Sequence, residues 1–127
     1  MSDISGHSKK AIVIVEDNET IAELIKDTLN AEPDYQAAVV HDGARALEVI
    51  RSLKASLILL DVNLPGLSGL QIYDMLQAEE ETRDTPVLFV TATAPVEEFQ
   101  SRNIESYIEK PFDLDELLAR VAEVWRT

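Results

Sequence analysis

Several apolar stretches of this sequence end in residues that could do chemistry together. Glu16-Asp17 follow the run 11–15, Asp61 follows 57–60, Thr91 follows 87–90, and Lys110-Pro111 stand near the end of the chain. Three carboxylates, a hydroxyl and an ammonium group form a working set if a fold gathers them. Carboxylates held close repel one another and stay charged only beside a cation. Their hard oxygens suit Mg²⁺, which keeps several waters and prefers a site shared with phosphate oxygens. A carboxylate beside such a metal can attack a phosphoryl group and become an aspartyl phosphate. Lys110 and the Thr91 hydroxyl would then offer positive charge and a hydrogen bond to the phosphoryl oxygens. Taken singly, each acid reads as a helix cap or a turn residue. The chemistry therefore depends on which elements bring these residues to one edge.

Short apolar runs alternate with helical patterns along the whole chain. Ala11-Ile12-Val13-Ile14-Val15 is continuous and rich in β-branched residues, as in a strand covered on both faces. Asn18 can cap a helix in which Ile21, Leu24, Ile25, Thr28 and Leu29 recur at helical spacing. Residues 36–40 form a second strand, and Asp42 caps a helix that turns Ala44, Leu47 and Ile50 inward. Leu57-Ile58-Leu59-Leu60 is a third strand, and residues 63–69 are turn chemistry before a helix bearing Leu70, Tyr73, Leu76 and Gln77. Val87-Leu88-Phe89-Val90 is the fourth strand, and Leu114, Leu117, Leu118, Val121, Val124 and Trp125 mark the last helix. This alternation predicts an α/β fold: a doubly wound, five-stranded parallel sheet in the flavodoxin-like order 2-1-3-4-5, with helices on both faces. Ligands of such sheets gather beyond the carboxyl ends of the strands, where the five residues named first would meet.

Composition narrows the function. The chain has 127 residues, enough for one domain with one core. Residues 1–9 read as a flexible tail and 10–127 as the domain; His7 in that tail and His41 beside Asp42 lack catalytic partners. Twenty-four acidic against eleven basic residues give a formal charge of −13, which disfavours nucleic acid and anionic membrane as direct partners. Without cysteine there is no disulfide, thiolate nucleophile or Cys-ligated metal. The first ten residues lack the apolar core of a signal peptide, and a cytoplasmic location is expected.

The ordered set Val15-Glu16-Asp17, Leu60-Asp61-Val62-Asn63-Leu64-Pro65 with Gly69, Val90-Thr91-Ala92 and Glu109-Lys110-Pro111-Phe112 resembles a response-regulator receiver domain, over about residues 10–125. The resemblance implies that Asp61 accepts a phosphoryl group from a sensor histidine kinase or a histidine phosphotransfer protein. It implies that Asp17, Asp61 and the backbone carbonyl of Asn63 ligate Mg²⁺, with Glu16 acting through water. It also implies that Thr91 and Lys110 bind the phosphoryl oxygens, that the Lys110–Pro111 bond is cis, and that Tyr107 matches the aromatic whose rotamer follows phosphorylation. The competing reading of Tyr107 is an ordinary half-buried strand residue. A binding switch that acts on an unidentified effector protein, rather than a turnover enzyme, is the expected function.

Two enzyme-like or carrier-like alternatives fit less well. A haloacid-dehalogenase-like phosphatase would also use Asp61 as nucleophile but needs a second Asp two residues later, where this chain has Asn63. A flavin carrier would need a Gly- and hydroxyl-rich phosphate loop in place of Glu16-Asp17. One departure from the receiver pattern stands out. Between Thr91 and Lys110 the chain is about one helical turn short, and Arg102-Asn103-Ile104-Glu105 replaces the usual small bend. Pro95 leaves at most residues 96–101 for a fourth helix, which is expected to be short, irregular or absent and weakly anchored by apolar side chains.

Overall fold

The computed structural model describes residues 9–125, so most of the expected tail and its His7 lie outside the described residues. Strands β1 (Lys10–Val15), β2 (Tyr35–Val40), β3 (Leu57–Leu60), β4 (Val87–Thr91) and β5 (Tyr107–Glu109) alternate with helices. These are α1 (Glu19–Asn30), α2 (Gly43–Leu53), α3 (Gly69–Ala78), α4 (Val96–Ser101) and α5 (Leu114–Glu123). All strand pairs are parallel, in the order β2-β1-β3-β4-β5, as the alternation predicts.

Each strand feeds two cores because successive side chains point to opposite faces. Val13, Val15, Ile58, Leu60 and Phe89 join Ala46, Ile50, Leu70, Ile72, Leu76 and Phe99 on one face. Ile12, Ile14, Leu57, Leu59, Leu88 and Val90 join Ile25, Leu29, Leu117 and Val121 on the other. Every residue of β3 is buried, which is why its sequence is uniformly apolar.

Asn18 and Asp42 cap α1 and α2, accepting from the amides of Ile21 and Ala44. The inward faces differ in detail from their reading in sequence. Leu24 is 49% exposed, Ala44 yields its inward place to Ala46, and Gln77 faces solvent. Trp125 lies beyond α5 and is half-buried, its ring 5.6 Å from that of Tyr35 and beneath the Lys10 ammonium at 4.9 Å.

The fourth helix is short, as expected, but it is neither irregular nor poorly anchored. Phe99 is 2% exposed, its ring centroid 5.0 Å from that of Phe89 and 5.2 Å from that of Tyr107. One large aromatic ring thus does the work of several smaller apolar anchors. Asn103 adopts a left-handed conformation (φ 58°), so that its own amide reaches the Gln100 carbonyl and the amide of Ile104 reaches that of Phe99. This closes the C-terminus of α4 in a Schellman-like arrangement.

Candidate functional site

Sheet register brings the chemistry-bearing residues together. Val15 is paired with Leu60, so Glu16 and Asp61 leave β1 and β3 side by side. Leu60 is paired with Phe89, which places Thr91 further along the adjacent strand. Thr91 is paired with Glu109, and its carbonyl accepts from the Lys110 amide at 2.8 Å. The Lys110–Pro111 bond is cis, as the resemblance implied.

The ammonium of Lys110 bridges two buried acids. It lies 2.7 Å from Glu16 Oε1 and 3.0 Å from Asp61 Oδ2. The remaining oxygens are also engaged: Glu16 Oε2 accepts from the Asn18 amide at 3.1 Å, and Asp61 Oδ1 from the Asn63 amide at 3.0 Å. Burial pushes the Glu16 pKa up, against the hydrogen bonds from Lys110 and Asn18 that draw it down; the Asp61 charge raises it further. Burial alone would lower the Lys110 pKa, but hydrogen bonds to both acids outweigh it and hold that pKa above its usual value. The ammonium is thus locked in its charged form.

Asp17, unlike Glu16 and Asp61, is exposed at the mouth of the site. Carboxylate oxygens of Glu16, Asp17 and Asp61 all lie within 4.8 Å of one another. Three acids against one ammonium leave an excess of negative charge, and the donor set is entirely hard oxygen. That chemistry fits a small divalent cation such as Mg²⁺.

The other expected residues fall nearby. Thr91 is fully buried, and its hydroxyl donates to the Thr93 carbonyl at 3.3 Å. Asn63 is exposed beside Asp61, and no second acid stands two residues after Asp61, so nothing favours the phosphatase alternative. Tyr107 is half-buried against Phe99, and its carbonyl accepts from Arg120 at 2.6 Å.

Two neighbours carry more of the site's geometry than their sequence context suggested. A Cβ on Gly69 would collide with the carbonyl oxygen of Asp61 and stand 2.9 Å from Val62 Cα. Only glycine lets α3 start this close to the turn after β3. His41 Nδ1 lies 3.1 Å from the Glu16 carbonyl oxygen, tying the end of β2 to the acidic loop. The sequence motif included Gly69, but His41 had no local signal because its partner is 25 residues away.

Residues 12–122 match the family model described as "Response regulator receiver domain". The chain belongs to this family. It is 34% identical over 115 residues to the polar-differentiation response regulator DivK of Brucella anthropi, spanning 88% of this chain and 93% of that protein. Among solved structures, the non-phosphorylated HemR receiver domain from Leptospira biflexa is 30% identical with a TM-score of 0.81, covering 94% of this chain and 97% of that one. The chemotaxis protein CheY4 of Vibrio cholerae, 24% identical, shares the fold with a TM-score of 0.84 over 92% of this chain and 99% of its own. This receiver domain is accordingly a module of two-component signalling. Receiver domains bind Mg²⁺ at an acidic pocket and interact with histidine kinases or phosphotransfer proteins and with effectors. Among the described residues, no helix is long and apolar enough to cross a membrane.

Proposed function

We propose that Asp61 is the phosphoacceptor of this receiver domain and that its phosphorylation switches binding to an effector protein. The observation that carries this reading is the Lys110 ammonium bridging Asp61 and Glu16, with Asp17 completing an oxygen cluster beside them. Asp17, Asp61 and the Asn63 carbonyl would hold Mg²⁺, with Glu16 acting through water. When bound, the ion supplies positive charge that offsets carboxylate repulsion and steadies phosphoryl oxygens.

The donor is a phosphohistidine on a sensor kinase or phosphotransfer protein. A carboxylate oxygen of Asp61 attacks phosphorus as the P–N bond breaks, and the bonding pair returns to the imidazole nitrogen. Lys110 follows the growing charge from the carboxylate to the phosphoryl oxygens, needing only a short movement of its flexible stem. The Thr91 hydroxyl exchanges the Thr93 carbonyl for a phosphoryl oxygen, a stronger acceptor. The domain works as a stoichiometric switch in the cytoplasm and does not turn over a substrate.

Acetyl phosphate with Mg²⁺ tests the assignment. We expect one added phosphoryl group per chain, mapped by peptide mass spectrometry to Asp61, lost on omitting Mg²⁺ and absent from Asp61→Asn. Label on another residue of the intact protein would refute it.

A further inference from the structure

The two ends of α4 are held in contrasting ways. At its start, Pro95 offers no side-chain cap and Val96 is 54% exposed. The preceding turn is tied to the site by the Thr91 hydroxyl on the Thr93 carbonyl. At its end, the Arg102 guanidinium makes a two-pronged ion pair with Asp74 of α3, Nε to Oδ1 at 2.8 Å and Nη2 to Oδ2 at 2.9 Å. Arg102 Nη1 also donates to the Glu98 carbonyl at 3.2 Å. The left-handed Asn103 and the Ile104 amide close the same end.

From this asymmetry we infer that Arg102 and Asp74 form a hinge clamp, about which the N-terminal end of α4 swings when Asp61 is phosphorylated. This inference rests on the phosphoacceptor reading above. A phosphoryl group that recruits the Thr91 hydroxyl removes it from the Thr93 carbonyl, loosening a side-chain hydrogen bond on the turn before α4. The helix is only six residues long and is seated by the Phe99 ring between Phe89 and Tyr107, close to the clamped end. A guanidinium and carboxylate joined by two hydrogen bonds resist rotation better than a single contact, so the clamped end stays with α3. The switch surface is therefore confined to residues 92–98, with α3 as its fixed wall.

Amide hydrogen exchange with and without acetyl phosphate and Mg²⁺ tests this, the Asp61 peptide being read in the same runs. In the wild type, phosphorylation should speed exchange in residues 92–98 and leave 102–104 unchanged. Asp74→Ala should speed exchange at 102–104 by about two- to fivefold even without phosphodonor, the range expected for an exposed pair. With phosphodonor, its change should spread through residues 99–104. Arg102→Lys, which keeps the charge but not the fork, should behave like Asp74→Ala. A labelled Asp61 with equal changes at both ends of α4, or an Asp74→Ala pattern matching wild type, would overturn the hinge alone. Absence of label on Asp61 would overturn the phosphoacceptor reading and the hinge with it.

Discussion

The Lys110 ammonium lies 2.7 Å from Glu16 Oε1, joining residues 94 positions apart, and both side chains are largely buried. It also reaches Asp61 at 3.0 Å, so one cation compensates two buried anions. Removing it leaves both without their partner. Lys110→Ala should cost about 3–5 kcal/mol at neutral pH, the usual penalty for stranding a buried charge. Millimolar Mg²⁺ should restore part of that loss by binding the folded state alone. Urea unfolding with and without Mg²⁺ measures both effects.

Glu16 makes stability depend on pH in a direction opposite to a surface carboxylate. Its folded pKa is raised above 4.5, chiefly by burial, so the native state takes up a proton more readily than the unfolded chain. The associated stabilisation is present below pH 4.5 and is lost as pH rises through the folded value. In Mg²⁺-free buffer, wild type minus Glu16→Gln stability should therefore fall with pH across that window. The slope is at most about 1.4 kcal/mol per pH unit for one proton. Urea unfolding at a series of pH values reads it directly.

Gly69 should tolerate no side chain. Its Cβ position is occupied by the Asp61 carbonyl and crowded by Val62 Cα, which are backbone atoms and cannot rotate away. Gly69→Ala should destabilise by about 1–3 kcal/mol through overpacking. Because the displaced carbonyl belongs to Asp61, phosphoryl labelling should slow in the fraction that remains folded. Thermal unfolding and acetyl phosphate labelling, run on the same sample, separate the two losses.

The fold was legible because β3 and residues 11–15 of β1 are uniformly apolar and each chemistry-bearing residue stands at or just past a strand end. Strand–helix alternation then implies a parallel sheet with right-handed crossovers, and the register found in it brings Glu16, Asp61, Thr91 and Lys110 to one edge. Long-range polar pairs were not legible. Asp74 in α3 and Arg102 just past the end of α4 lie 28 residues apart, and neither position carries a periodic or capping signal. The anchoring of α4 was missed for a related reason: periodicity counts apolar positions, whereas burial depends on the size of one ring. Leu24 erred in the other direction, helical in spacing yet half exposed beside Ile21 and Phe112.

Phe99 should be the most costly single residue to remove from α4. Its ring is buried between those of Phe89 and Tyr107, and the Phe89 ring continues to Tyr73 at 5.7 Å. Phe99→Ala forfeits the burial of the whole ring and opens a cavity that the flanking aromatics fill only in part. A loss of about 3–5 kcal/mol is expected. Phe99→Leu keeps most of the apolar volume and should cost less than half as much, while still removing the tilted ring contact with Tyr107. If α4 is held by this ring, amides of residues 99–104 should exchange much faster in Phe99→Ala, and those of α1 should change only with global stability. Equal losses in the Ala and Leu variants would show that ring–ring contact, rather than cavity volume, sets the anchorage. A loss under about 1 kcal/mol in Phe99→Ala would show that the polar contacts at the end of α4, rather than this ring, hold the helix in place.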